Sequence, residues 1–167
     1  MSSGLIRATA AFIAVLASPC LVLQSAWAAG QWPAPPAASA FTIPTAQLIQ
    51  PDELNHLLHS QGDEKLLILQ VGSRMMFDQA HISGAEYAGP GSQAEGLDQL
   101  RSRATSLPRT TFIILYCGCC PWNRCPNVGP AYSLLQQMGF TRVKVLYLAN
   151  NFGEDWVNKG FAIEAGH

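Results

Sequence analysis

A cysteine-rich loop between a predicted buried strand and a predicted helix constrains this chain more than any other stretch. Residues 111–115 form a short apolar run of the kind found in strands buried on both faces. Residues 128–138 carry apolar side chains at helical spacing. The loop between them holds four of the chain's five cysteines, namely Cys117, Cys119, Cys120 and Cys125. Open α/β sheets bind their ligands at the carboxyl ends of strands, so this loop is the candidate functional site.

The rest of the sequence alternates in the same way between strand and helix patterns. Further strands are predicted near residues 41–49, 66–71 and 143–148, and further helices begin at Pro51 and span residues 97–107. Alternation of this kind implies βαβ units. We therefore predict an α/β domain with a mostly parallel sheet flanked by helices on both faces.

The amino-terminal residues read as an export signal followed by a tether. Residues 1–28 combine a positive Arg7, an apolar stretch that includes Cys20, and an Ala26-Trp27-Ala28 cleavage site. Residues 29–42 are rich in alanine and proline, which is typical of a linker. The folded domain is predicted to span residues 43–167. The mature protein is expected to be periplasmic or secreted, with no stable membrane insertion after signal cleavage.

Charge and composition give no electrostatic case for binding to nucleic acid or anionic lipid. The formal net charge is −1 and no basic run is present, so nothing favours binding to nucleic acid. No cofactor is expected from the sequence.

Three segments, in order, resemble the rhodanese-like family of single-domain sulfurtransferases. Residues 71–85, which include His81 and Gly84, are similar to the family signature V-R-x-x-x-E-F-x-x-G-H-I-P-G-A. Residues 115–117 with the loop after them resemble the family's catalytic strand and active-site loop. Residues 153–163 are similar to the closing G-G-x-x-x-W-x-x-x-G-x-P-V pattern.

The resemblance implies sulfane-sulfur transfer through a cysteine persulfide on Cys117. A thiolate there would take sulfur from a small donor such as thiosulfate and pass it to a thiol acceptor. The helix after the loop is expected to lower the pKa of this thiol through its N-terminus. The donor would be held by the loop residues Gly118, Cys119, Cys120, Trp122, Asn123 and Arg124.

The loop and its surroundings also depart from the family pattern. Gln70-Val71-Gly72 stands where the family usually has Asp-Val-Arg, and the spacing from Cys117 to Arg124 is Cys-x6-Arg instead of Cys-x4-Arg. Because Cys119 does have the Cys-x4-Arg spacing, it is the second candidate for the nucleophile.

The additional cysteines leave further readings open. One is a disulfide that staples the loop, with a buried thiol beside it. Residues 117–120 also have the C-x-x-C spacing of thioredoxin-like redox motifs, although such motifs usually come early in their fold. Cys119, Cys120 or Cys125 would resolve an oxidised or persulfidated Cys117 as a disulfide, which implies a thiol-disulfide partner protein. Alternatively, the chain is a non-catalytic rhodanese-fold module that acts in redox exchange or binds a soft metal through Cys117, Cys120 and Cys125.

Overall fold

The central sheet places the strand before the cysteine loop in its middle. The computed structural model describes residues 42–60 and 66–166, so the predicted signal and nearly all of the predicted linker lie outside it. In chain order the strands are β1 (Leu48–Ile49), β2 (Leu66–Gln70), β3 (His81–Ile82), β4 (Glu86–Tyr87), β5 (Phe112–Tyr116), β6 (Val143–Leu146) and β7 (Ile163–Glu164). Within the described residues, five of them pair in parallel in the order β1-β6-β5-β2-β4, while β3 and β7 form a separate antiparallel pair.

Helices cover both faces of the sheet, as the alternating pattern predicted. They are α1 (Pro51–His59), α2 (Arg74–Gln79), α3 (Ala94–Thr105), α4 (Val128–Gln137) and α5 (Phe152–Asp155), with 3-10 turns at Thr45–Gln47, Trp122–Arg124 and Val157–Lys159. The helix ends follow local chemistry. Pro51 occupies the first turn of α1, the Ser73 side chain accepts from the Met76 amide at the start of α2, and Gly139 takes a left-handed φ of +87° after α4.

Alternation along β5 divides its side chains between two apolar layers. Ile113 and Leu115 pack with α3 and α4, where Leu100 and Leu135 are fully buried. Ile114 and Tyr116 face the opposite layer, which contains residues of α1, α2 and α5. Because successive strand residues point to opposite faces, both layers are filled from one strand.

The antiparallel pair β3–β7, which the sequence did not predict, ties the end of the described chain to the sheet. His81 pairs with Glu164, and the Ile82 amide donates to the Tyr116 hydroxyl at 3.1 Å. Trp156 is fully buried, and its indole N–H donates to the carbonyl of Ala162 at 3.1 Å.

The mixed α/β fold with a parallel sheet is thus confirmed. In the part of the chain that the structure describes, no helix has the length and apolar character needed to cross a membrane.

Candidate active site

The position of Cys117 follows directly from β5. Cys117 continues the alternation of Ile113 and Leu115, so its side chain enters the layer of α3 and α4 and is only 3 % exposed. In the sheet, β2 and β5 are neighbours, but the chain continues from β2 to β4 on one side of this pair and from β5 to β6 on the other side. Such a change of direction opens a crevice at the carboxyl ends of the two strands, where α/β folds bind ligands. Cys117 lies at that crevice.

Two anchors hold the loop after Cys117 against the end of the sheet. Gly118 has a φ of +77°, a conformation that favours glycine, and a Cβ added there would lie 2.6 Å from the Phe152 Cβ. The Gly118 carbonyl accepts from the Phe152 amide at 3.1 Å, and the Trp122 amide donates to Ala149 at 3.2 Å. The loop is therefore tied to the segment that follows β6.

The four cysteines of the loop are free thiols whose sulfur atoms lie close together. The Sγ atoms of Cys117 and Cys119 are 3.0 Å apart, and those of Cys119 and Cys120 are 3.2 Å apart. The Sγ atoms of Cys117, Cys119 and Cys125 all lie within 4.8 Å of one another. A disulfide bond is about 2.05 Å long, so these contacts are hydrogen bonds between cysteine side chains, and the alternative of a disulfide within the loop is not what the structure shows.

Asn127, which the sequence did not single out, is the polar side chain directed at the sulfur atoms. It is buried, and its Nδ2 group donates to Cys117 Sγ at 3.2 Å and to Cys119 Sγ at 3.7 Å. Its Oδ1 atom accepts from the Ser92 amide at 3.0 Å, which fixes the amide group so that the NH2 faces the sulfurs. The only sequence signal was its place directly before α4.

The hydrogen bonds place the negative charge of the cluster on Cys119. Donation from Cys117, followed by donation from Cys125, lowers the pKa of Cys119 far below its ordinary value; contacts with Cys120 and Asn127 act in the same direction, and burial opposes them. The prediction of a lowered pKa at Cys117 is wrong. Donation to Cys119, then the bond to Cys125 and burial raise the pKa of Cys117.

The other two thiols stay protonated at neutral pH. Burial, followed by the contact with Cys119, raises the pKa of Cys120 to about 12. For Cys125, the bond with Cys117 lowers the pKa, but the bond with Cys119 and burial outweigh it, so the pKa is raised. The backbone N–H groups of Val128 and Asn127 also act on Cys125. The start of α4 therefore meets the sulfur of Cys125, whereas the sequence analysis assigned that role to Cys117.

Gln70 and Gly72 form the back of the site, at the positions where the family pattern has a charged pair. The buried Gln70 side chain donates to the Cys117 carbonyl at 3.3 Å and accepts from the Gly72 amide at 3.1 Å. A Cβ on Gly72 would lie 3.1 Å from Cys117 Sγ and 3.0 Å from the Cys117 carbonyl oxygen. A neutral amide thus bridges the ends of β2 and β5, and glycine leaves room for the sulfur.

A small cavity lies against Cys117. Its volume is about 10 Å³, close to the least that holds one water molecule. The walls combine thiols with apolar side chains and are formed by Cys117, Gly118, Cys120, Trp122, Cys125, Val128, Leu146 and Leu148. A larger cavity of about 500 Å³ lies at the amino ends of the strands, where Arg103 pairs with Glu86, far from the cysteine loop along the strands. The smaller cavity is the one with reactive groups.

The remaining predicted loop residues have different surroundings. Trp122 packs against Tyr147 with the ring centres 5.0 Å apart and forms a wall of the small cavity. Asn123 and Arg124 are exposed on the 3-10 turn.

His81 has a structural position. Its Nδ1 atom lies 2.8 Å from the carbonyl of Phe77, and its ring stacks on the Phe77 ring at 3.8 Å. These contacts orient the backbone between α2 and β3.

The group of cysteines suited to a metal ion differs from the predicted one. The sequence predicts a group of Cys117, Cys120 and Cys125, whereas the structure brings together the sulfurs of Cys117, Cys119 and Cys125. Because Cys119 and Cys120 are adjacent, only one of them joins the group, and it is Cys119.

Solved structures of bacterial proteins share this fold. The Alr3790 protein from Anabaena sp. is 24 % identical to this chain, with 71 % of this chain and 92 % of that one covered and a TM-score of 0.53. The rhodanese-like domain of the same Anabaena protein is 23 % identical to this chain. The match covers 71 % of this chain and 79 % of that domain, with a TM-score of 0.52. The BH2092 protein from Bacillus halodurans is 22 % identical to this chain. The match covers 70 % of this chain and 75 % of that protein, with a TM-score of 0.54.

Sequence comparison adds no closer relationship. No protein-family model matches the sequence, and no curated protein matches it. The structural likeness, at these identities, concerns the fold. Together with the parallel sheet and the crevice between β2 and β5, it identifies this chain as a protein with the rhodanese-like fold, carrying a cysteine cluster in the loop after its central strand.

Proposed function

We propose that this chain is a sulfurtransferase that carries sulfane sulfur as a persulfide on Cys117. The observation that carries the proposal is the cavity of about 10 Å³ against Cys117, at the ligand crevice of a rhodanese-like fold. This volume suits a single added atom, the outer sulfur of a persulfide, and the apolar walls formed by Val128, Leu146 and Leu148 shield it from water.

The cysteine cluster supplies the nucleophile. Cys119 holds the negative charge, and its sulfur lies 3.0 Å from that of Cys117, so the proton of Cys117 can pass to Cys119 along an existing hydrogen bond. This transfer is uphill because Cys119 holds the charge better, and its cost adds to the activation barrier. The resulting Cys117 thiolate is the stronger nucleophile, since intrinsic nucleophilicity rises with thiol pKa.

The transfer balances with thiosulfate as donor and a thiolate as acceptor. The Cys117 thiolate attacks the outer sulfur of thiosulfate, the S–S bond of the donor breaks, and sulfite leaves with the bonding electron pair. An acceptor thiolate then attacks the outer sulfur of the Cys117 persulfide, and the Cys117 thiolate leaves. Both steps are displacements at sulfur, so no external oxidant is needed.

Arg124 is the residue we assign to the first encounter with an anionic donor. Its side chain is exposed on the 3-10 turn between Cys120 and Cys125, and no ion pair or side-chain hydrogen bond of it is found among residues 42–60 and 66–166. A guanidinium group suits the oxygens of a sulfonate because it donates two parallel hydrogen bonds.

Export through residues 1–28 belongs to the same proposal. In an oxidising compartment the free thiols need a thiol-disulfide partner protein to keep them reduced. Amino-terminal sequencing of the protein recovered from the periplasm or the medium tests this part. A mature terminus at Ala29 supports it, and retention of residues 1–28 on a cytoplasmic protein contradicts it.

Intact-mass spectrometry of the reduced protein after incubation with thiosulfate tests the chemistry. We expect a gain of about 32 Da, the mass of one sulfur atom, together with release of one equivalent of sulfite. Cys117→Ser abolishes the gain, and Cys119→Ser slows it without abolishing it. Cys120→Ser is the matched control, because Cys120 is a neighbouring thiol of the same loop, and it keeps the gain. No adduct on the wild-type protein, or an adduct that survives Cys117→Ser, overturns the proposal.

A further inference from the structure

Three sulfur atoms from the two ends of the loop lie close enough together to reach one metal ion. The Sγ atoms of Cys117, Cys119 and Cys125 lie within 4.8 Å of one another, and those of Cys117 and Cys119 are 3.0 Å apart. Metal–thiolate bonds are about 2.3 Å long, so three sulfurs around one ion lie roughly 4 Å from each other. To hold an ion, the sulfurs of Cys117 and Cys119 must move apart by about 1 Å, a side-chain movement within the existing group.

We propose that Cys117, Cys119 and Cys125 form a three-coordinate binding site for Cu(I). All of the ligands are cysteine sulfurs, which bind as thiolates after the protons of Cys117 and Cys125 are released to solvent. Soft ligands of this kind select Cu(I), zinc or iron–sulfur clusters. Zinc in structural sites takes four ligands in tetrahedral geometry. The group found among the described residues has three members and contains no histidine or carboxylate, which favours Cu(I).

Cys120 does not complete a four-thiolate site. Its sulfur lies 3.2 Å from that of its neighbour Cys119, yet it falls outside the group whose sulfurs are mutually close. It faces the small cavity instead, together with Trp122. A Cys120 variant therefore serves as a control: it shows whether copper binds at the proposed ligands or nonspecifically to any cysteine of the loop.

The surroundings of the three sulfurs suit a monovalent ion held by several thiolates. Asn127 donates to the sulfurs of Cys117 and Cys119 at 3.2 Å and 3.7 Å, and the Ser92 amide holds its side chain in that orientation. These two hydrogen bonds to sulfur offset the excess negative charge of the bound form. Partners of this kind, beyond the ligands themselves, typically change metal affinity by roughly 10- to 100-fold.

Apolar side chains close the site on the side of the sheet. Val128, Leu146 and Leu148 line the cavity next to Cys117 and Cys125. They limit the access of water and oxidants, which favours the reduced state of copper. The proposal stands apart from sulfur transfer, although both use Cys117, so a bound copper ion excludes the persulfide.

Competition between the reduced protein and a chromophoric Cu(I) chelator, without oxygen, tests the site. We expect one equivalent of Cu(I) to bind, with X-ray absorption showing three sulfur neighbours and no nitrogen or oxygen. Cys119→Ser removes one ligand. We expect it to weaken Cu(I) binding by at least roughly 100-fold, which is the most that the loss of a partner outside the ligands usually costs. Cys120→Ser, which keeps a hydrogen-bonding group beside Cys119, retains one equivalent of Cu(I) and three sulfur neighbours, and it weakens binding far less than Cys119→Ser does.

Two controls make the outcome decisive. Circular dichroism shows whether each variant keeps its fold, and Cys125→Ser provides a second ligand variant if Cys119→Ser does not fold. Equal loss of affinity in Cys120→Ser and Cys119→Ser overturns the proposal. So does the absence of stoichiometric binding, or a site with four sulfurs. The thiosulfate adduct is measured without copper, so either proposal can fail while the other holds.

Discussion

Replacing Asn127 by aspartate reverses the electrostatic contribution that this side chain makes to the sulfur cluster. A carboxylate has nearly the same shape and still accepts from the Ser92 amide, which lies 3.0 Å from Oδ1 in the native protein. It cannot donate to sulfur, and it introduces a negative charge where Nδ2 lies 3.7 Å from Cys119 Sγ. We therefore expect Asn127→Asp to raise the pKa of Cys119.

The size of the effect follows from the distance. Two unit charges 3.7 Å apart repel by roughly 4.5 kcal/mol at an effective dielectric constant of about 20. Cys119 is partly exposed and the new carboxyl group can itself take up a proton, so solvent and protonation reduce this energy. A residual effect of about 1–2 kcal/mol corresponds to a rise of about one pKa unit.

Ultraviolet absorbance of the thiolate as a function of pH measures this pKa. Asn123→Asp is the matched control, because it adds the same charge to an exposed position of the same loop, where solvent and salt screen it. We expect a clear upward shift for Asn127→Asp and little change for Asn123→Asp, with both variants folded by circular dichroism. An unchanged titration in Asn127→Asp, or equal shifts in the two variants, would refute the assigned role of Asn127.

Three further predictions concern reactivity and stability. Because the pKa of Cys119 is lowered, its thiolate is present above that pKa, and its alkylation rate should stay nearly constant between about pH 5 and 8. Cys120, with a pKa of about 12, should react little over this range. A rate at Cys119 that rises steeply between these pH values contradicts the assignment. Gly118→Ala places a Cβ 2.6 Å from that of Phe152 at a φ of +77°, and should cost about 1–3 kcal/mol in urea denaturation, whereas an unchanged midpoint would mean that the loop relaxes freely. Tyr116→Phe removes the hydroxyl that accepts from the Ile82 amide and leaves a buried donor, for an expected loss of about 1–3 kcal/mol; a smaller loss would show that the amide finds another acceptor.

The fold could be predicted from the sequence because its signals are local and repeated. Residues 111–116 and 143–148 contain the apolar runs of β5 and β6, and the helical spacing of residues 128–138 matches α4 (Val128–Gln137) to within one residue. The position of Cys117 at the end of β5 followed from the same pattern. The pair β3–β7 could not be foreseen, since two-residue strands carry too short a pattern and His81 and Glu164 are far apart in the chain.

The thiol pKa values and side-chain contacts of the cysteine site could not be predicted from the sequence, because they depend on contacts between distant residues. The expectation of a lowered pKa at Cys117 relied on the helix after the loop, but the 3-10 turn Trp122–Arg124 brings Cys125 to the start of that helix. Asn127 acts on the sulfurs only because Ser92, from another loop, fixes its orientation. Gln70 was read as a missing acid, whereas in the structure its amide joins the ends of β2 and β5. Each of these depends on distant residues brought together by the fold.

A crystal structure of the thiosulfate-treated, reduced protein tests the central claim most directly. We expect one additional sulfur atom bonded to Cys117 Sγ, lying in the cavity bordered by Trp122 and Val128, with Cys119 and Cys125 unmodified. An additional sulfur on Cys119, a disulfide between Cys117 and Cys119, or an unmodified Cys117 in protein that has released sulfite would contradict it.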